Sequence, residues 1–483
     1  MHGTVDPQQA LLDADNLCGH LVEEGSICRS LATLGDQLFS DADFADMYDE
    51  ARGRYSVPPS LLAKVSLLQA FESLSDREAV KHVRCDLQWK VALHLPVDDQ
   101  GFHYSVLSYF RERMRKSERP RRVFERFKQV AEEAGLLSRK GARVLDSTPI
   151  LSAVQTEDTV TMIQGALRRL LALLAKTDTE ARDEVLASLR RDDYGRPGKP
   201  IIDWDDEAAR GQLVDELVTD AAAALAVLEG RQLDEEAGAA AELLATVAGQ
   251  DVERDEATGR FRIRKGVAKD RVISTVDPEA RHGRKSSHGP FDGFKAHVAV
   301  EPKNELITQV AVTPANVPDG EVAPQLLPEL ESEEAEITAF GDTHYGSGDT
   351  RAALIEAGAT VVAKAPPSGN SSGGFAKSMF KIDLEQCTAT CPNGVTVGWQ
   401  MQGGGGAIFR FPAAACAACP LRAQCTTSSH GRTVLVGPHE ALLAEARAFQ
   451  QTDEFKRRYN GTRPVVERVI YRLVRRGGRK ARF

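Results

Sequence analysis

The sequence predicts an α/β (α+β) fold, and three observations favour it. Residues 1–138 show the spacing of apolar side chains that is typical of helices. Two apolar runs typical of buried strands end at Asp146 and at Asp342. Between them, residues 158–250 are rich in Ala and Leu and again show helical spacing. Strands surrounded by helical stretches are typical of an α/β core with helical additions.

The N-terminal stretch predicts a series of short helices. Apolar residues with helical spacing are Leu61, Leu62, Val65, Leu68 and Phe71. Ser75 and Glu78 have the spacing of a capping box, which begins the next helix. The helical pattern continues over residues 103–136 with a break at Pro120. Short helices of this kind are compatible with a helix-turn-helix DNA reader, and a helical support or dimerisation module is the alternative.

Helices and strands alternate from residue 142 onward. The strand that ends at Asp146 is followed by helices over 158–250, which the Gly- and Pro-rich segment 195–200 divides into two halves. Alternating apolar residues predict a β-hairpin over 294–313. The remaining predicted elements are a helix at 319–330, a strand ending at Asp342, a helix at 348–357, a strand at 359–364 and a helix at 463–476.

Composition and length limit the possible classes of protein. The 483 residues suffice for about two to four structural units, and 42% hydrophobic with 27% charged residues is typical of a globular protein. No stretch approaches the ~18 apolar residues of a transmembrane helix. The N-terminus has neither the basic nor the apolar region of a signal peptide, which predicts a cytoplasmic protein.

The charge is distributed unevenly along the chain. The formal net charge is −9, but residues 111–128 carry nine Lys and Arg against three acids, and residues 454–483 carry eleven against two. Local basic stripes govern contacts with phosphate, so both stripes are predicted to bind nucleic acid. Arg121 and Arg122 are the candidate contacts in the first stripe, and a solvated helix face is the alternative.

Three acids far apart in the chain have surroundings typical of metal ligands. Asp146 and Asp342 each end an apolar run, and Glu467 lies in a basic amphipathic stretch. Two strand-end aspartates and a helical glutamate supply the hard oxygen ligands with which proteins hold two Mg²⁺ ions about 3.5–4 Å apart. The alternative for any one of them is an ordinary surface or loop-starting carboxylate. Asp277 and Asp292, each beside a turn-forming residue, are the next acids to consider.

Five of the eight cysteines fall within residues 387–425. Cys416 and Cys419 have the spacing of a metal knuckle, and a small loop-rich segment that cannot build its own core is typically held by tetrahedral Zn²⁺. Free buried cysteines are the alternative. The favoured zinc ligands are Cys391, Cys416, Cys419 and Cys425, with Cys387 as a spare.

Eight short sequence words, in order along the chain, resemble those of bacterial insertion-sequence transposases of the DDE type. The words occupy residues 74–80, 102–108, 145–148, 277–281, 291–297, 312–320, 341–346 and 463–467. The resemblance covers nearly the whole chain. It is closest to the subgroup with a helical N-terminal domain and a cysteine-bearing insertion before the final glutamate.

This resemblance implies a ribonuclease-H-like catalytic core with three additions. The implied segments are a helical N-terminal DNA-binding domain at 1–138, a helical insertion at 158–257, a Cys-rich zinc-binding insert at 366–437, and the core at 139–157, 258–365 and 438–483.

The resemblance also implies the reaction and its partners. Two Mg²⁺ (or Mn²⁺) ions held by Asp146, Asp342 and Glu467 would activate water to cut a transposon end, and the freed 3′-hydroxyl would attack target DNA. One structural Zn²⁺ ion is expected in the insert. The expected partners are double-stranded DNA, at the transposon ends and the target, and a second copy of the chain on that DNA. The expected location is the nucleoid of the bacterial cytoplasm, with no role for a membrane.

Three further residues are candidate contacts for DNA phosphates. Lys295 and His297 lie opposite the apolar face of the predicted hairpin, and Arg463 precedes Glu467 by about one helical turn, on the same face. A guanidinium is suited to bidentate contact with phosphate. For His297, an ordinary strand histidine is the alternative.

Two other functions stay open at this point. A metal-dependent DNA nuclease on a similar core would cut DNA without joining it. A truncated, inactive DNA-binding relative is the second, because the chain stops 16 residues after Glu467, where family members continue through a further helical segment. The family pattern also has a Tyr ahead of the Arg and a basic residue after the Glu, for which Tyr459 and Arg475 are near matches slightly out of register.

Overall fold

The computed structural model describes most of the chain. The described residues are 3, 13–49, 55–153, 155–196, 198–285, 289–332, 335–369, 373–401 and 406–480. Part of the predicted N-terminal domain, at 1–2 and 4–12, and the end of the predicted core, at 481–483, lie outside them. The chain divides into two compact units. The first comprises Met1–Leu145, Ala299–Gln309 and Leu327–Gly478, and the second comprises Asp146–Val298, Val310–Leu326 and Arg479–Phe483.

Helices and strands are both abundant, which confirms the predicted mixed α/β class. The helices are α1 (Ala14–Cys18), α2 (Ile27–Leu38), α3 (Pro59–Glu72), α4 (Asp76–Cys85), α5 (Leu87–Ala92), α6 (Ser105–Lys116), α7 (Arg122–Glu133), α8 (Thr159–Thr177), α9 (Thr179–Ser188), α10 (Glu207–Leu228), α11 (Glu235–Gln250), α12 (Asp319–Val322), α13 (Gly348–Glu356), α14 (Ala413–Ala417), α15 (Arg422–Cys425), α16 (Glu440–Gln451), α17 (Asp453–Thr462) and α18 (Pro464–Gly477). None of the helices in the described ranges is long and apolar enough to cross a membrane.

The strands are concentrated around the predicted acids and in the cysteine-rich segment. They are β1 (Lys140–Leu151), β2 (Val252–Arg254), β3 (Phe261–Ile263), β4 (Arg281–Lys285), β5 (Gly289–Glu301), β6 (Leu306–Pro314), β7 (Glu336–Gly341), β8 (Thr360–Ala363), β9 (Lys381–Asp383), β10 (Thr388–Thr390), β11 (Thr396–Met401), β12 (Ala407–Arg410) and β13 (Thr433–Val436).

Helices α1 to α7 of the first unit confirm the predicted helical N-terminal region. Helix α4 begins at the predicted capping box, because Ser75 Oγ accepts from the N–H of Glu78 and Glu78 Oε2 accepts from the N–H of Ser75. The apolar residues with helical spacing on α3 are buried, except Phe71, which is 40% exposed. The guanidinium of Arg476, 4.0 Å from the centre of its ring, covers Phe71.

Asp342 directly follows β7, which pairs in parallel with β1 and β8. Strand β1 pairs with β7 so that Val144 is opposite Phe340, and Phe340 is opposite Val362 of β8. In the second unit β4, β5 and β1 are adjacent in that order. Strand β6 also pairs with β5. Residues 143–149 of β1 are all buried, although Arg143, Asp146, Ser147 and Thr148 among them are polar or charged.

Helices α8 to α11 of the second unit form a separate apolar core. Its fully buried residues include Leu167, Leu170, Leu217 and Leu244. The short hairpin β2-β3 follows α11. These helices occupy the Ala- and Leu-rich stretch, where helical spacing without strand alternation predicted them.

The cysteine-rich segment of the first unit, here called the insert, forms a five-stranded sheet in the order β13-β12-β11-β10-β9. A small aromatic core with Phe380, Phe409 and Phe411 lies against it. Glu440, 7% exposed, follows the insert and accepts from Nζ of Lys377 and from Nη1 of Arg447. This carboxylate therefore joins the N-terminal part of the insert to α16, the helix that follows the insert.

The predicted continuous helix over 319–330 is wrong. The structure has the short α12 followed by 3₁₀ turns at Pro324–Leu326 and Pro328–Glu331. A proline inside an α-helix lacks the N–H for the helical hydrogen bond and clashes with the preceding turn. Two prolines four residues apart therefore end the α-helix after one turn.

Candidate active site

Asp342 lies in the first unit, directly after β7. Its Oδ1 accepts a hydrogen bond from the backbone N–H of His344 at 2.9 Å, which shapes the turn. The turn then passes close to the end of β8, since a Cβ added at Gly346 would lie 1.9 Å from the carbonyl oxygen of Lys364. Only glycine permits this approach, so the small residue in the 341–346 word keeps the Asp342 turn against β8.

Glu467 lies in the first turn of α18. The neighbouring Val465, Val466 and Val469 are buried, so the apolar face of the helix packs inward and the Glu467 side chain, 67% exposed, points to the other face. Nη1 of Arg463 lies 3.6 Å from Oε1 of Glu467. The spacing of one turn predicts that the two side chains lie on the same face, and their proximity agrees with this.

Tyr459 of α17 lies near both of these acids. Burial raises the pKa of Tyr459, Arg463 lowers it, and Asp342 and Glu467 raise it. Tyr459 is therefore within the range of charge interactions of both acids. Nζ of Lys364 is 5.1 Å from the centre of the Tyr459 ring.

Asp146 lies in the second unit, within β1, and is 9% exposed. Its Oδ1 accepts a hydrogen bond from the backbone N–H of Ser147 at 2.7 Å, and Nζ of Lys285 is 3.7 Å away. Asp146 is thus an oriented carboxylate beside a cation. No pattern in the sequence singles out Lys285, which lies at the end of the short strand β4.

Lys295 and His297, predicted to contact phosphate, are buried in the second unit. Nζ of Lys295 donates to Oδ1 of Asp319 at 2.6 Å. His297 has no exposed surface, and its Nε2 is 2.9 Å from Oγ1 of Thr313. Burial, partly offset by Asp319, lowers the pKa of His297 to about 4, so it is neutral near pH 7. For His297 the structure therefore corrects the prediction of a phosphate contact to that of a buried strand histidine.

Arg122, predicted to contact DNA, is also buried. Its guanidinium is 3% exposed and donates to both carboxylate oxygens of Asp46, each at 2.6 Å. It also donates to Ser117 Oγ and to the carbonyl oxygens of Arg119 and Asp43. The prediction is corrected, because a guanidinium engaged on every side holds two parts of the chain together and has no donor for a phosphate.

Other cations of the two basic stripes have protein partners as well. Arg111 pairs with Asp76, Arg115 with Glu112, and Arg119 with Glu125. Arg121 donates to Gln309 and lies over the ring of Phe124. In the second stripe, Arg468 and Arg472 both donate to Glu305, at the turn between β5 and β6. Counting charges along the sequence therefore overstated the free positive charge of both stripes.

Four cysteines of the insert line one apolar pocket. They are the favoured zinc ligands Cys391, Cys416, Cys419 and Cys425. Burial raises the pKa of Cys425, nearby Arg432 lowers it, and the other three thiols raise it. Cys387, the spare, does not line this pocket, and its Sγ lies 3.8 Å from the carbonyl oxygen of Leu384.

No metal centre is assembled in the described part of the chain. Among those residues, no three His, Cys, Asp or Glu side chains are grouped closely enough to hold a metal ion. The predicted zinc site is therefore not shown, although its four cysteines share a pocket. Sequence reasoning missed Lys285, Lys364 and Asp319, of which Asp319 alone lay in a recognised word, at 312–320.

Family profiles match three stretches of the chain. Residues 17–113 match a Transposase domain (DUF772), and residues 263–402 and 390–483 each match a Transposase DDE domain. The searches of curated proteins and of solved structures gave no significant match.

The matches define an enzyme that transposes DNA. The chain belongs to the insertion-sequence DDE transposases. Its substrate is DNA, and its reaction depends on a divalent metal ion, Mg²⁺ or Mn²⁺. The predicted resemblance to insertion-sequence DDE transposases is confirmed, and the subgroup with a cysteine-bearing insertion stays a prediction.

Proposed function

We propose that Asp146, Asp342 and Glu467 are the metal-binding triad of this transposase, carried on a ribonuclease-H-like core. The observation that carries the proposal is the register of β1 and β7, in which Val144 is opposite Phe340. Asp146 lies two residues after Val144 within β1, and Asp342 lies two residues after Phe340, directly after β7. The position of Glu467 beside Arg463 on α18 supports the proposal.

The chemistry of these residues fits a pair of Mg²⁺ or Mn²⁺ ions. All three are carboxylates, which are the hard oxygen ligands that these ions prefer. The described contacts of Asp342 and Glu467 each involve one carboxylate oxygen, Oδ1 of Asp342 and Oε1 of Glu467. The Glu467 side chain is also largely exposed. When bound, the ions supply charge stabilisation to the phosphoryl group and lower the pKa of water.

The chain's own residues would bind and orient the DNA for two successive displacements at phosphorus. In the first, a water oxygen loses a proton and forms a bond to phosphorus, the bond from phosphorus to the 3′-oxygen of the transposon strand breaks, and that oxygen takes up a proton to become a 3′-hydroxyl. In the second, this hydroxyl loses its proton and forms a bond to a phosphorus of target DNA, and the target's own 3′-oxygen leaves and takes up a proton. Arg463, beside Glu467, would orient that carboxylate and add positive charge near the phosphate oxygens that gain charge.

The triad is tested by conservative substitution. Asp146→Asn, Asp342→Asn and Glu467→Gln should each lower Mg²⁺-dependent cleavage of DNA that contains the segments flanking the gene by at least ~10²-fold. Binding of the same DNA should change little. Asp277→Asn and Asp292→Asn are matched controls and should cleave normally. Normal cleavage by any triad variant would overturn the assignment of that residue.

We also propose that the four-cysteine pocket holds one structural Zn²⁺ ion. Thiols are the ligands of structural zinc sites, and four of them line one small pocket of a segment with a minimal core. Elemental analysis should find one Zn²⁺ per chain, lost in the double variant Cys416→Ala with Cys419→Ala. Cys387→Ala is the matched control and should retain the zinc. Wild-type protein without zinc would contradict the proposal.

We further propose that the enzyme acts as a homodimer on DNA in the bacterial nucleoid, because a mobile element has two ends to be cut and joined. Light scattering of the protein with and without DNA that contains both ends tests this. A complex with a single chain on the two ends would contradict it.

A further inference from the structure

Asp319 lies in a buried polar cluster of the second unit to which the triad chemistry assigns no part. It begins α12, is 8% exposed, and both of its carboxylate oxygens accept hydrogen bonds. Oδ2 accepts from Oγ of Ser147 at 2.6 Å, and Oδ1 accepts from Nζ of Lys295 at 2.6 Å. Burial would raise the pKa of Asp319, but hydrogen bonds from Lys295 and Ser147 outweigh it and keep the carboxylate charged.

Ser147 connects this cluster to Asp146. It is 2% exposed and follows Asp146 in β1. Its N–H donates to Oδ1 of Asp146 at 2.7 Å. On its other side, Nζ of Lys285 donates to the carbonyl oxygen of Ser147 and, at 3.0 Å, to its Oγ. The Asp146 carboxylate thus accepts from the N–H of Ser147, a residue whose hydroxyl donates to Asp319 and whose hydroxyl and carbonyl oxygen accept from Lys285.

We propose that Ser147 and Asp319 are positioning residues that set the orientation of the Asp146 carboxylate toward the catalytic metal ions. This inference rests on the proposed role of Asp146 and deepens it. Carboxylates that bind metals are commonly hydrogen-bonded themselves, and removing such an outer partner typically lowers metal affinity or activity about 10–100-fold. The sequence words 145–148 and 312–320 contain these two residues, so the arrangement explains two words by one contact.

Burial separates this role from a contact with DNA. Both side chains are almost fully enclosed, so neither can reach a phosphate or base. The ion pair with Lys295 would by itself explain why Asp319 can be buried. It does not explain why the second carboxylate oxygen of Asp319 accepts a hydrogen bond from the Ser147 hydroxyl. The effect on chemistry must therefore pass through Ser147 to Asp146.

The test measures Mn²⁺ binding by the full-length protein with electron paramagnetic resonance, alongside the melting temperature. Ser147→Ala removes the hydroxyl and leaves the ion pair of Asp319 with Lys295 intact, so the Mn²⁺ dissociation constant should rise about 10-fold. Asp319→Ala should do the same. Asp319→Asn, which keeps an oxygen acceptor for the hydroxyl, should stay within about 3-fold of wild type.

The comparison of Asp319→Asn with Asp319→Ala also controls for folding, because both lose the charge that Lys295 faces and differ in the acceptor for Ser147. Thr313→Val is a second control. It removes the hydrogen-bond partner of buried His297 in the same unit and should leave the dissociation constant unchanged.

Three results would overturn the inference. Ser147→Ala with wild-type Mn²⁺ affinity would do so, as would equal affinities of Asp319→Asn and Asp319→Ala. Either of these two results would leave the proposed metal-binding triad intact, provided that Asp146→Asn still lost Mn²⁺ binding. Unchanged Mn²⁺ binding by Asp146→Asn would remove the proposed function itself, and the positioning role with it.

Discussion

Arg463 lies at the junction of α17 and α18 with its Nη1 3.6 Å from Oε1 of Glu467. The two side chains differ sharply in environment, because that of Arg463 is 9% exposed and that of Glu467 is 67% exposed. The Arg463 guanidinium is thus buried beside a Glu467 carboxylate that faces solvent. This geometry orients Glu467 and leaves the exposed side of the pair to phosphate and metal.

Arg463→Lys should lower the rate of DNA cleavage about 10-fold, because an ammonium lacks the planar pair of donors of a guanidinium. Arg463→Ala should lower the rate about 10²-fold, because alanine also lacks the charge. Single-turnover cleavage at saturating DNA measures the effect. Arg457→Ala is the control, since Arg457 is an exposed cation one and a half turns earlier in α17. Equal rates for all four proteins would exclude Arg463 from the chemistry.

Arg122 and its neighbour Arg121 should have separable roles. Arg122→Ala should destabilise the protein by about 2–3 kcal/mol, because it removes the donor to Asp46 and to buried carbonyl oxygens. Arg121→Glu should leave stability nearly unchanged and weaken DNA binding, with a salt slope lower by about 1. Urea unfolding and fluorescence anisotropy at several salt concentrations distinguish them. The opposite pattern would restore Arg122 as the DNA contact.

His297 should make the protein less stable in mild acid. Its pKa is about 4 in the folded protein, below the ordinary 6.5, so the unfolded state binds the proton more readily. The contribution is fully present above about pH 6.5 and is lost as the pH falls toward 4, amounting to about 2 kcal/mol by pH 5. Urea unfolding between pH 7.5 and 5 should show this slope, and His297→Gln should flatten it. An equal slope in the variant would assign the acid sensitivity to other groups.

Gly346→Ala should disturb the turn after Asp342. The added Cβ would collide with the carbonyl oxygen of Lys364, so the turn or β8 must shift, at a cost of about 1–3 kcal/mol. Cleavage should fall with stability, since the turn holds Asp342. Gly211→Ala is the control, because no atom lies near its Cβ in α10, and it should stabilise by about 0.5–1 kcal/mol. Thermal unfolding and cleavage rates of both variants would be compared.

Local sequence patterns predicted the elements that carry the triad. The apolar run before Asp342 ends where β7 ends, and the one-turn spacing placed Arg463 on the same side as Glu467. The predicted strand end at Asp146 is wrong, because β1 continues to Leu151. The capping box marked the start of α4. Each of these features depends on neighbours within one turn or one strand, which is the range over which a single sequence is informative. The four-segment domain division stays a prediction.

Contacts between distant segments were not predictable in the same way. Nothing in the sequence shows that Asp46, 76 residues before Arg122, withdraws that arginine from solvent. The same holds for Asp319, which meets Ser147 across 172 residues. Charge counts assume that cations face water, and only the folded chain shows which ones meet an acid. The two prolines in 319–330, by contrast, were visible and should have ended the predicted helix.

The link that Glu440 makes between Lys377 and Arg447 has a practical consequence for dissecting this protein. The carbonyl oxygen of Pro366 also accepts from Nε of Arg447, at 3.4 Å. The segment that follows β8 is therefore hydrogen-bonded to α16 at this point. A segment whose two ends meet in this way can be exchanged for a short linker, tagged with a fluorophore or grafted elsewhere without stretching the chain that remains. The base of the insert is therefore a natural cutting point for separating its contribution from that of the catalytic residues.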